Sequence, residues 1–410
     1  MLSTRELLVR NRDFRRLFLA SIVSLGGDWF SFVAVADLVT ELTGRPGAAA
    51  FVYAATVLPV FLASPFSGMV GDRYDRKRVL IIADLARVPV ALLLCVAAAW
   101  GSVELAVVAI VLLGVGASFY DPIAAAVTPN LVDERELASA QSLMGMVWGS
   151  MLLVGAGIGG VVAEVFGRQT AFIIDAASFL VSAWLVAGIR RPMQQAGPEA
   201  RARGGERGGQ LREVWRYARS NSIVGRLLFA KGGVSWANGI VGLLPAFAHG
   251  KFAGVPIATG LLFAARGLGA LLGPLIARRV AGASPSPRAI VAMCAVSTLS
   301  YGAVYAVFPL APWFGLALVL VMLAHLGGGA QWSLSTYGLQ IATPDHLRGR
   351  VMSLDYGLAT LAIGVSSIVA GLLADAYSEA SATWWLAGAA AIYGIGWFAW
   401  SFGATRKQPG

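Results

Sequence analysis

The chain has 410 residues, of which 57% are hydrophobic and only 13% carry a charged side chain. About a quarter of the residues in soluble globular proteins are charged, so this chain has too few polar groups to cover a water-exposed surface. The composition therefore excludes a soluble enzyme. The two cysteines, Cys95 and Cys294, lie inside apolar runs, which predicts neither a disulfide framework nor a metal cluster.

Twelve windows are long and apolar enough to cross a bilayer, which requires about 20 residues of helix. The 49 glycines agree with closely packed membrane helices, in which small residues let the backbones approach. In chain order the windows are 17–40, 47–70, 79–100, 103–128, 138–162, 169–189, 223–248, 255–277, 287–308, 311–336, 351–374 and 382–403.

The basic residues concentrate on one side of these windows. With a cytoplasmic N-terminus, 26 of the 32 Lys and Arg fall in cytoplasmic segments. The positive-inside rule then predicts a multi-pass protein of the cell membrane with both termini in the cytoplasm. The net charge of +10 is thereby explained by topology, so nucleic-acid binding is not expected.

The longest loop divides the windows into six and six. Residues 190–222 are basic and glycine-rich, which predicts a cytoplasmic linker between an N-terminal half, 1–189, and a C-terminal half, 223–410. A short interfacial helix is predicted over Leu211–Tyr217. The sequences Thr128-Pro129-Asn130-Leu131 and Thr343-Pro344-Asp345-His346-Leu347 follow corresponding windows, 215 residues apart. This internal repeat predicts a duplicated six-helix unit.

The loop after the second window carries a motif. It reads Gly68-Met69-Val70-Gly71-Asp72-Arg73-Tyr74-Asp75-Arg76-Lys77-Arg78. In spacing and position it resembles the signature G-x-x-x-D-R-x-x-R-[KR]-[RK] between the second and third helices of the major facilitator superfamily. The segments around Asn11-Arg12-Asp13-Phe14-Arg15, Gly27-Asp28-Trp29 and Leu347-Arg348-Gly349-Arg350 are similar to drug- and siderophore-exporter-like members.

The resemblance implies an all-α membrane protein with twelve transmembrane helices in two pseudo-symmetric six-helix halves. It implies a secondary active transporter, not an enzyme, that works by alternating access without a cofactor. The expected activity is proton-coupled efflux of small amphipathic molecules by a monomer in the lipid bilayer. One alternative is an exporter of lipids, lysolipids or siderophores. An alternative from another functional class is a membrane sensor or scaffold that transports nothing. No phosphate-binding G-x-x-x-x-G-K-[ST] loop is present, which argues against ATP-driven transport.

The resemblance also assigns residues to a cytoplasmic gate. A carboxylate in the loop can accept hydrogen bonds at a helix N-terminus, and arginines can pair with carboxylates or lipid phosphate. The alternative is a plain positive-inside loop. The candidate gating residues are Gly68, Gly71, Asp72, Arg73, Arg76 and Arg350.

The fifth window contains Gly155-Ala156-Gly157-Ile158-Gly159-Gly160. This resembles the antiporter signature G-P-x-x-G-G, with Ala156 in place of proline. The fourth window lacks the arginine of many proton antiporters, and both departures weaken the antiporter inference. The expected role of Gly155, Gly159 and Gly160 is helix packing.

Charged residues inside the windows are candidates for mechanism, because each costs a few kcal/mol unless it faces water or a partner. Asp28, near the middle of the first window, is the first candidate for proton coupling or for binding a cationic substrate. A backbone-bonded acid is the alternative. Arg87 and Asp121 lie at matching depths, about 12 and 10 Å at 1.5 Å per residue, which predicts a salt bridge that Asp84 could share.

Further candidates lie in the second half. Lys231 either lines the cavity or extends to the cytoplasmic interface, and His325 is either titratable or simply packed. Arg266 lies near mid-membrane and requires a partner, for which Asp355 and the cavity are both possible. The aromatic residues proposed to line an apolar pocket, with lipid contact or packing as the alternative, are Trp29, Tyr120, Trp148, Trp236 and Trp332.

Overall fold

The computed structural model describes residues 4–194, 207–282 and 285–405, and every regular element in these ranges is helical. The helices are α1 (Thr4–Arg10), α2 (Arg12–Thr43), α3 (Ala48–Arg73), α4 (Arg76–Trp100), α5 (Val103–Leu131), α6 (Glu134–Phe166), α7 (Arg168–Ala187), α8 (Arg207–Ser220), α9 (Ser222–Leu227), α10 (Gly232–Ala237), α11 (Leu244–His249), α12 (Ala258–Ala281), α13 (Pro287–Val307), α14 (Phe314–Ala342), α15 (Asp345–Ala376) and α16 (Glu379–Thr405). Single 3-10 turns cover Asn238–Leu243 and Phe308–Leu310.

Helical segments occur at all twelve predicted windows. Within the described ranges, ten segments are long and apolar enough to cross a membrane by length and composition. The other two windows correspond to α3, in which the described residues include a shorter apolar helix, Ala48–Ala63, and to the Trp-rich and Gly-rich α16. The structure thus contains helical segments at the predicted windows, and ten of them have both the length and the apolar composition of a membrane span.

Polar and glycine residues between the apolar runs set the helix ends. Asn11 caps α2 by accepting a hydrogen bond from the backbone N–H of Phe14 at 3.0 Å. Gly44 ends the same helix in the left-handed conformation, with φ of 61°. Asp75 caps α4 and Ser102 caps α5 in the same way as Asn11. The helices therefore begin and end close to the predicted windows.

The seventh window, 223–248, is interrupted, which the sequence analysis did not predict. It consists of α9, α10, a 3-10 turn and α11. Glycines permit this geometry, because a Cβ at Gly239 would lie 2.4 Å from the carbonyl oxygen of Ser366, and one at Gly242 would lie 2.6 Å from Ala50 Cα. Glycine lowers helix propensity, and these close backbone approaches exclude larger residues.

The chain forms two compact units. The first contains residues 1–44, 55–205 and 256–264, and the second contains 45–54, 206–255 and 265–410. The first has a buried core that includes Phe14, Leu17 and Val127. The core of the second includes Val224, Cys294 and Val351, and it also holds α8 through Val214 and Ala218. The short helix predicted over Leu211–Tyr217 is present as α8.

Candidate functional site

A buried arginine lies at the centre of the first unit. Arg87 of α4 is 1% exposed and donates a hydrogen bond to Asp84, one turn earlier on the same helix. Its Nη1 lies 3.4 Å from Asp28 Oδ2 of α2, and its Nη2 donates to Ser24 Oγ at 3.0 Å. The predicted pairing of Asp84 with Arg87 is present, and Asp28 is a second acidic partner of the same guanidinium.

Aromatic rings enclose this guanidinium on its remaining sides. The Arg87 Cζ atom lies 4.1 Å from the ring centroid of Phe179 and 5.2 Å from that of Tyr120. Gly116 of α5 provides the necessary space, since a Cβ there would lie 2.6 Å from Arg87 Cγ. The cation is therefore stabilised by carboxylates and by ring faces, out of contact with bulk water.

The predicted salt bridge between Arg87 and Asp121 is wrong, because the guanidinium bonds to Asp84 and Asp28 instead. Tyr120 directs its ring towards Arg87, and consecutive helical residues point about 100° apart. Asp121 is consequently turned to an exposed position. It contributes to the field at Arg87 only through longer-range electrostatics. The depth calculation could not show which face of α5 carries Asp121.

A fourth carboxylate completes this group of charges. Asp175 of α7 is buried and accepts a hydrogen bond from Ser31 Oγ, with Ser178 Oγ at 3.5 Å. It interacts electrostatically with Asp28. Gly27 makes room for it, since a Cβ there would lie 2.6 Å from Asp175 Oδ1. Asp175 was not among the predicted site residues, although an acid inside an apolar window was the available signal. We refer to Asp28, Asp84, Arg87, Asp121 and Asp175 as the Arg87 cluster.

The second unit contains a separate buried ion pair. Lys231 lies in the break of the seventh window, is 2% exposed, and donates a hydrogen bond to Asp355 of α15. Its Nζ lies 5.1 Å from the ring centroid of Trp332. The alternative in which Lys231 extends to the interface is wrong, because the side chain is enclosed and paired. The second carboxylate oxygen of Asp355 has no hydrogen-bond partner among the described residues.

Arg266 has neutral partners rather than Asp355. Its Nη2 donates to Tyr53 Oη at 3.0 Å and lies 3.5 Å from Asn238 Oδ1. Asp355 is unavailable because it holds Lys231. His325, 4% exposed, places Nε2 2.9 Å from Tyr305 Oη, the arrangement expected of a packed histidine.

The predicted pocket aromatics lie in different environments. Trp29 and Trp148 form a group with Phe32 and Phe263, with centroids 5.2 to 6.2 Å apart in the contacting pairs. Trp148 is 45% exposed, so this group is accessible on one side. Tyr120, 2% exposed, belongs instead to the surroundings of Arg87. In the second unit, Trp332 lies beside Tyr356 and Lys231, and Trp236 is half-buried.

The three glycines of the fifth window allow close backbone contacts. A Cβ at Gly155 would lie 3.1 Å from the carbonyl oxygen of Gly26, and one at Gly159 would lie 2.9 Å from Phe30 Cα. A Cβ at Gly160 would likewise lie 2.9 Å from Gly260 Cα. Two of these contacts bring α6 directly against α2, the helix that carries Asp28.

The candidate gating residues are described in part, because the side-chain environments of Gly68 and Asp72 lie outside the described part of the structure. Arg76 donates to the carbonyl oxygens of Gly71 and Ala126, at 3.3 and 3.1 Å. Arg73 is exposed. Arg350 pairs at 2.5 Å with Glu213 of the linker helix α8, a partner that the sequence analysis did not consider.

The chain is similar in sequence and in structure to several known proteins. Residues 8–406 match the family model described as transmembrane secretion effector. The multidrug efflux pump Tap of Mycobacterium tuberculosis is 27% identical over 383 residues, 90% of this chain and 88% of the relative. Macrolide efflux protein A of Streptococcus pyogenes is 24% identical over 371 residues, 88% and 89% of the two chains. The crystal structure of a POT family transporter with 5-aminolevulinic acid superposes with a TM-score of 0.73, at 12% identity and 97% coverage of both chains.

Proposed function

Because the chain belongs to the transmembrane secretion effector family, within the major facilitator superfamily, we propose that it exports small amphipathic molecules in exchange for protons. It is a multi-pass transporter of the cell membrane and not an enzyme. The contact of Asp28 with Arg87 carries the proposal of proton coupling. The Asp28 side chain is 27% exposed, so a proton can reach it, whereas its partner Arg87 is buried.

The balance of charges supports a proton site here. Arg87 is under the influence of three carboxylates, those of Asp28, Asp84 and Asp121, and Asp175 acts on Asp28 in turn. An excess of ionised carboxylates inside a membrane costs several kcal/mol. The cluster therefore holds protons as a coupled unit, and Asp28, its partly exposed member beside Arg87, is the proposed point of exchange.

We propose that export and proton uptake alternate at Asp28. Ionised Asp28 pairs with Arg87 or with a cationic group of the substrate, whereas a proton taken up from outside neutralises the carboxylate and releases the substrate. The relatives named as multidrug and macrolide efflux pumps support export of amphipathic compounds. The partly exposed Trp29 and Trp148 support an apolar contact next to the carboxylate.

The remaining parts of the mechanism are also proposals. Alternating access moves the substrate across the membrane, the chain acts as a monomer, and both termini are cytoplasmic. The loop that contains Gly71, Asp72 and Arg73 takes part in closing the cytoplasmic side. Arg350 acts from the linker side, where its partner is Glu213.

The test uses proteoliposomes with an imposed pH gradient and a panel of compounds that includes a macrolide and lipophilic cations. Asp28→Asn removes the exchangeable charge and keeps the shape of the side chain. We expect gradient-driven transport to fall about tenfold or more, since a lost interaction of about 1.4 kcal/mol is a factor of ten.

The matched control is Glu164→Gln, which removes one acid from an exposed position near the end of α6. It should transport like the natural chain. Gradient-driven transport by Asp28→Asn at the natural rate would refute the coupling role of this residue. Absence of transport by the natural chain for every compound would count against the proposed efflux function itself.

A further inference from the structure

The start of the seventh window carries an exposed patch that the proposed transport cycle does not use. Three aromatic side chains, Trp215, Phe229 and Trp400, are 38%, 37% and 52% exposed. Their rings follow one another, with centroids 6.4 Å apart between Trp215 and Phe229 and 6.3 Å apart between Phe229 and Trp400. Exposed large aromatic groups next to spanning helices are typical of the membrane–water interface.

Two guanidinium groups are held over the ends of this aromatic row. Arg219 Cζ lies 5.4 Å from the ring centroid of Trp215, and Arg226 Cζ lies 5.3 Å from that of Trp400. Arg226 is fixed further, since its Nε donates to the Trp400 carbonyl oxygen at 3.2 Å and its Nη1 to that of Ser222 at 3.0 Å. The two cations are therefore positioned before any ligand binds.

The scaffold beneath the patch is well anchored. Val214 and Ala218, on the adjacent face of α8, are buried in the core of the second unit. Tyr217 Oη donates to the Ala342 carbonyl oxygen at 2.9 Å, and Trp397 Nε1 donates to the Arg226 carbonyl oxygen at 2.9 Å. The aromatic row and its two arginines thus belong to packed helices.

The positive charge of the patch is not balanced locally. Within the described part of the chain, neither Arg219 nor Arg226 has a carboxylate at ion-pair distance. The acid on the same helix, Glu213, is paired with Arg350. Arg212 and Arg216 of α8 are exposed and add to the positive field. A surface that combines exposed aromatic rings with unbalanced arginines is complementary to a phosphodiester group attached to an acyl chain.

We propose that Trp215, Arg219, Arg226, Phe229 and Trp400 form a binding site for one anionic phospholipid. The anionic headgroup lies against the guanidinium groups of the patch, and an acyl chain follows Phe229 and Trp400. Because α8 continues into the interrupted seventh window, the lipid bridges the linker helix and that window. The site requires membrane insertion only, so it stands independently of proton coupling and of the exported compound.

Native mass spectrometry of the full chain, equilibrated with phosphatidylglycerol or phosphatidylcholine in detergent, tests the site. The natural chain should retain more phosphatidylglycerol than phosphatidylcholine. Because Arg219→Gln with Arg226→Gln removes both cations that attract the anionic headgroup, this variant should retain roughly tenfold less phosphatidylglycerol or lower still.

The matched control is Arg278→Gln with Arg279→Gln, which removes the same charge from exposed positions at the end of α12. It should keep most of the phosphatidylglycerol. A second variant, Arg219→Lys with Arg226→Lys, keeps the charge and should show an intermediate preference, since lysine lacks the planar guanidinium fork. Equal losses in the Gln variant and in the control, or retention of both lipids alike by the natural chain, would overturn the assignment.

Discussion

At the scale of single residues, the Lys231–Asp355 pair shows most clearly that a buried charge needs a partner of opposite charge. Both side chains are nearly inaccessible, at 2% and 3% exposure. Removal of one partner leaves an uncompensated buried charge, whereas removal of both leaves none. The effect on stability therefore depends on whether the two changes are made separately or together.

We predict that Lys231→Met lowers the free energy of unfolding by about 3–5 kcal/mol, because Asp355 is left unpaired. Lys231→Met combined with Asp355→Leu should recover most of that loss. Thermal unfolding in detergent measures both variants. Arg45→Met is the control, since its pair with Asp375 is 61% exposed on the arginine side, and such surface pairs contribute about 0–1 kcal/mol. A double variant no more stable than Lys231→Met would contradict this account.

Single residues also show how far the sequence could lead to the site. Charged residues inside apolar windows selected Asp28, Arg87, Lys231 and Arg266, because buried charge is rare enough in a membrane to identify candidates. Spacing along one helix predicted the Asp84–Arg87 contact. Partners on different helices were not predictable, because the pairs with Asp28 and Asp355 depend on how the helices are rotated against each other.

At the scale of helices, α6 packs closely against α2, the helix that carries Asp28. The contact relies on positions that have no room for a side chain. Gly159 faces Phe30 of α2, whereas nothing lies within 4 Å of a Cβ built at Gly145 of the same helix. The two glycines therefore allow the packing effect to be separated from the helix-forming tendency of alanine.

We predict opposite effects for Gly159→Ala and Gly145→Ala. The first places a Cβ 2.9 Å from Phe30 Cα, so the helices must separate, at a cost of about 1–3 kcal/mol. The second should stabilise by about 0.5–1 kcal/mol, since alanine is the better helix former. Thermal unfolding of the purified variants measures both. Equal stabilities would show that α2 and α6 are not closely packed at Gly159.

The helices themselves were largely predictable, because the bilayer imposes a length and an apolar composition that a single sequence reveals. The interruption of the seventh window was not. It depends on contacts of Gly239 with Ser366 and of Gly242 with Ala50, which join residues far apart in the sequence. Hydropathy alone cannot distinguish a straight apolar helix from one broken by such contacts.

At the scale of the whole molecule, the two compact units contain different charged groups. The first holds the Arg87 cluster, with several carboxylates around one cation, and the second holds the balanced pair of Lys231 and Asp355. The internal repeat predicted two related halves, but it could not predict this asymmetry, since the repeated motif lies at helix ends. The difference supports our proposal that proton exchange takes place in the first unit.

Proton release upon substrate binding tests that assignment most directly. Purified protein in weakly buffered detergent is mixed with a transported compound while the pH is recorded. The account predicts proton release by the natural chain that varies with the starting pH, and no release by Asp28→Asn even where the compound still binds. Binding without proton release by the natural chain, or unchanged release by Asp28→Asn, would contradict exchange at Asp28.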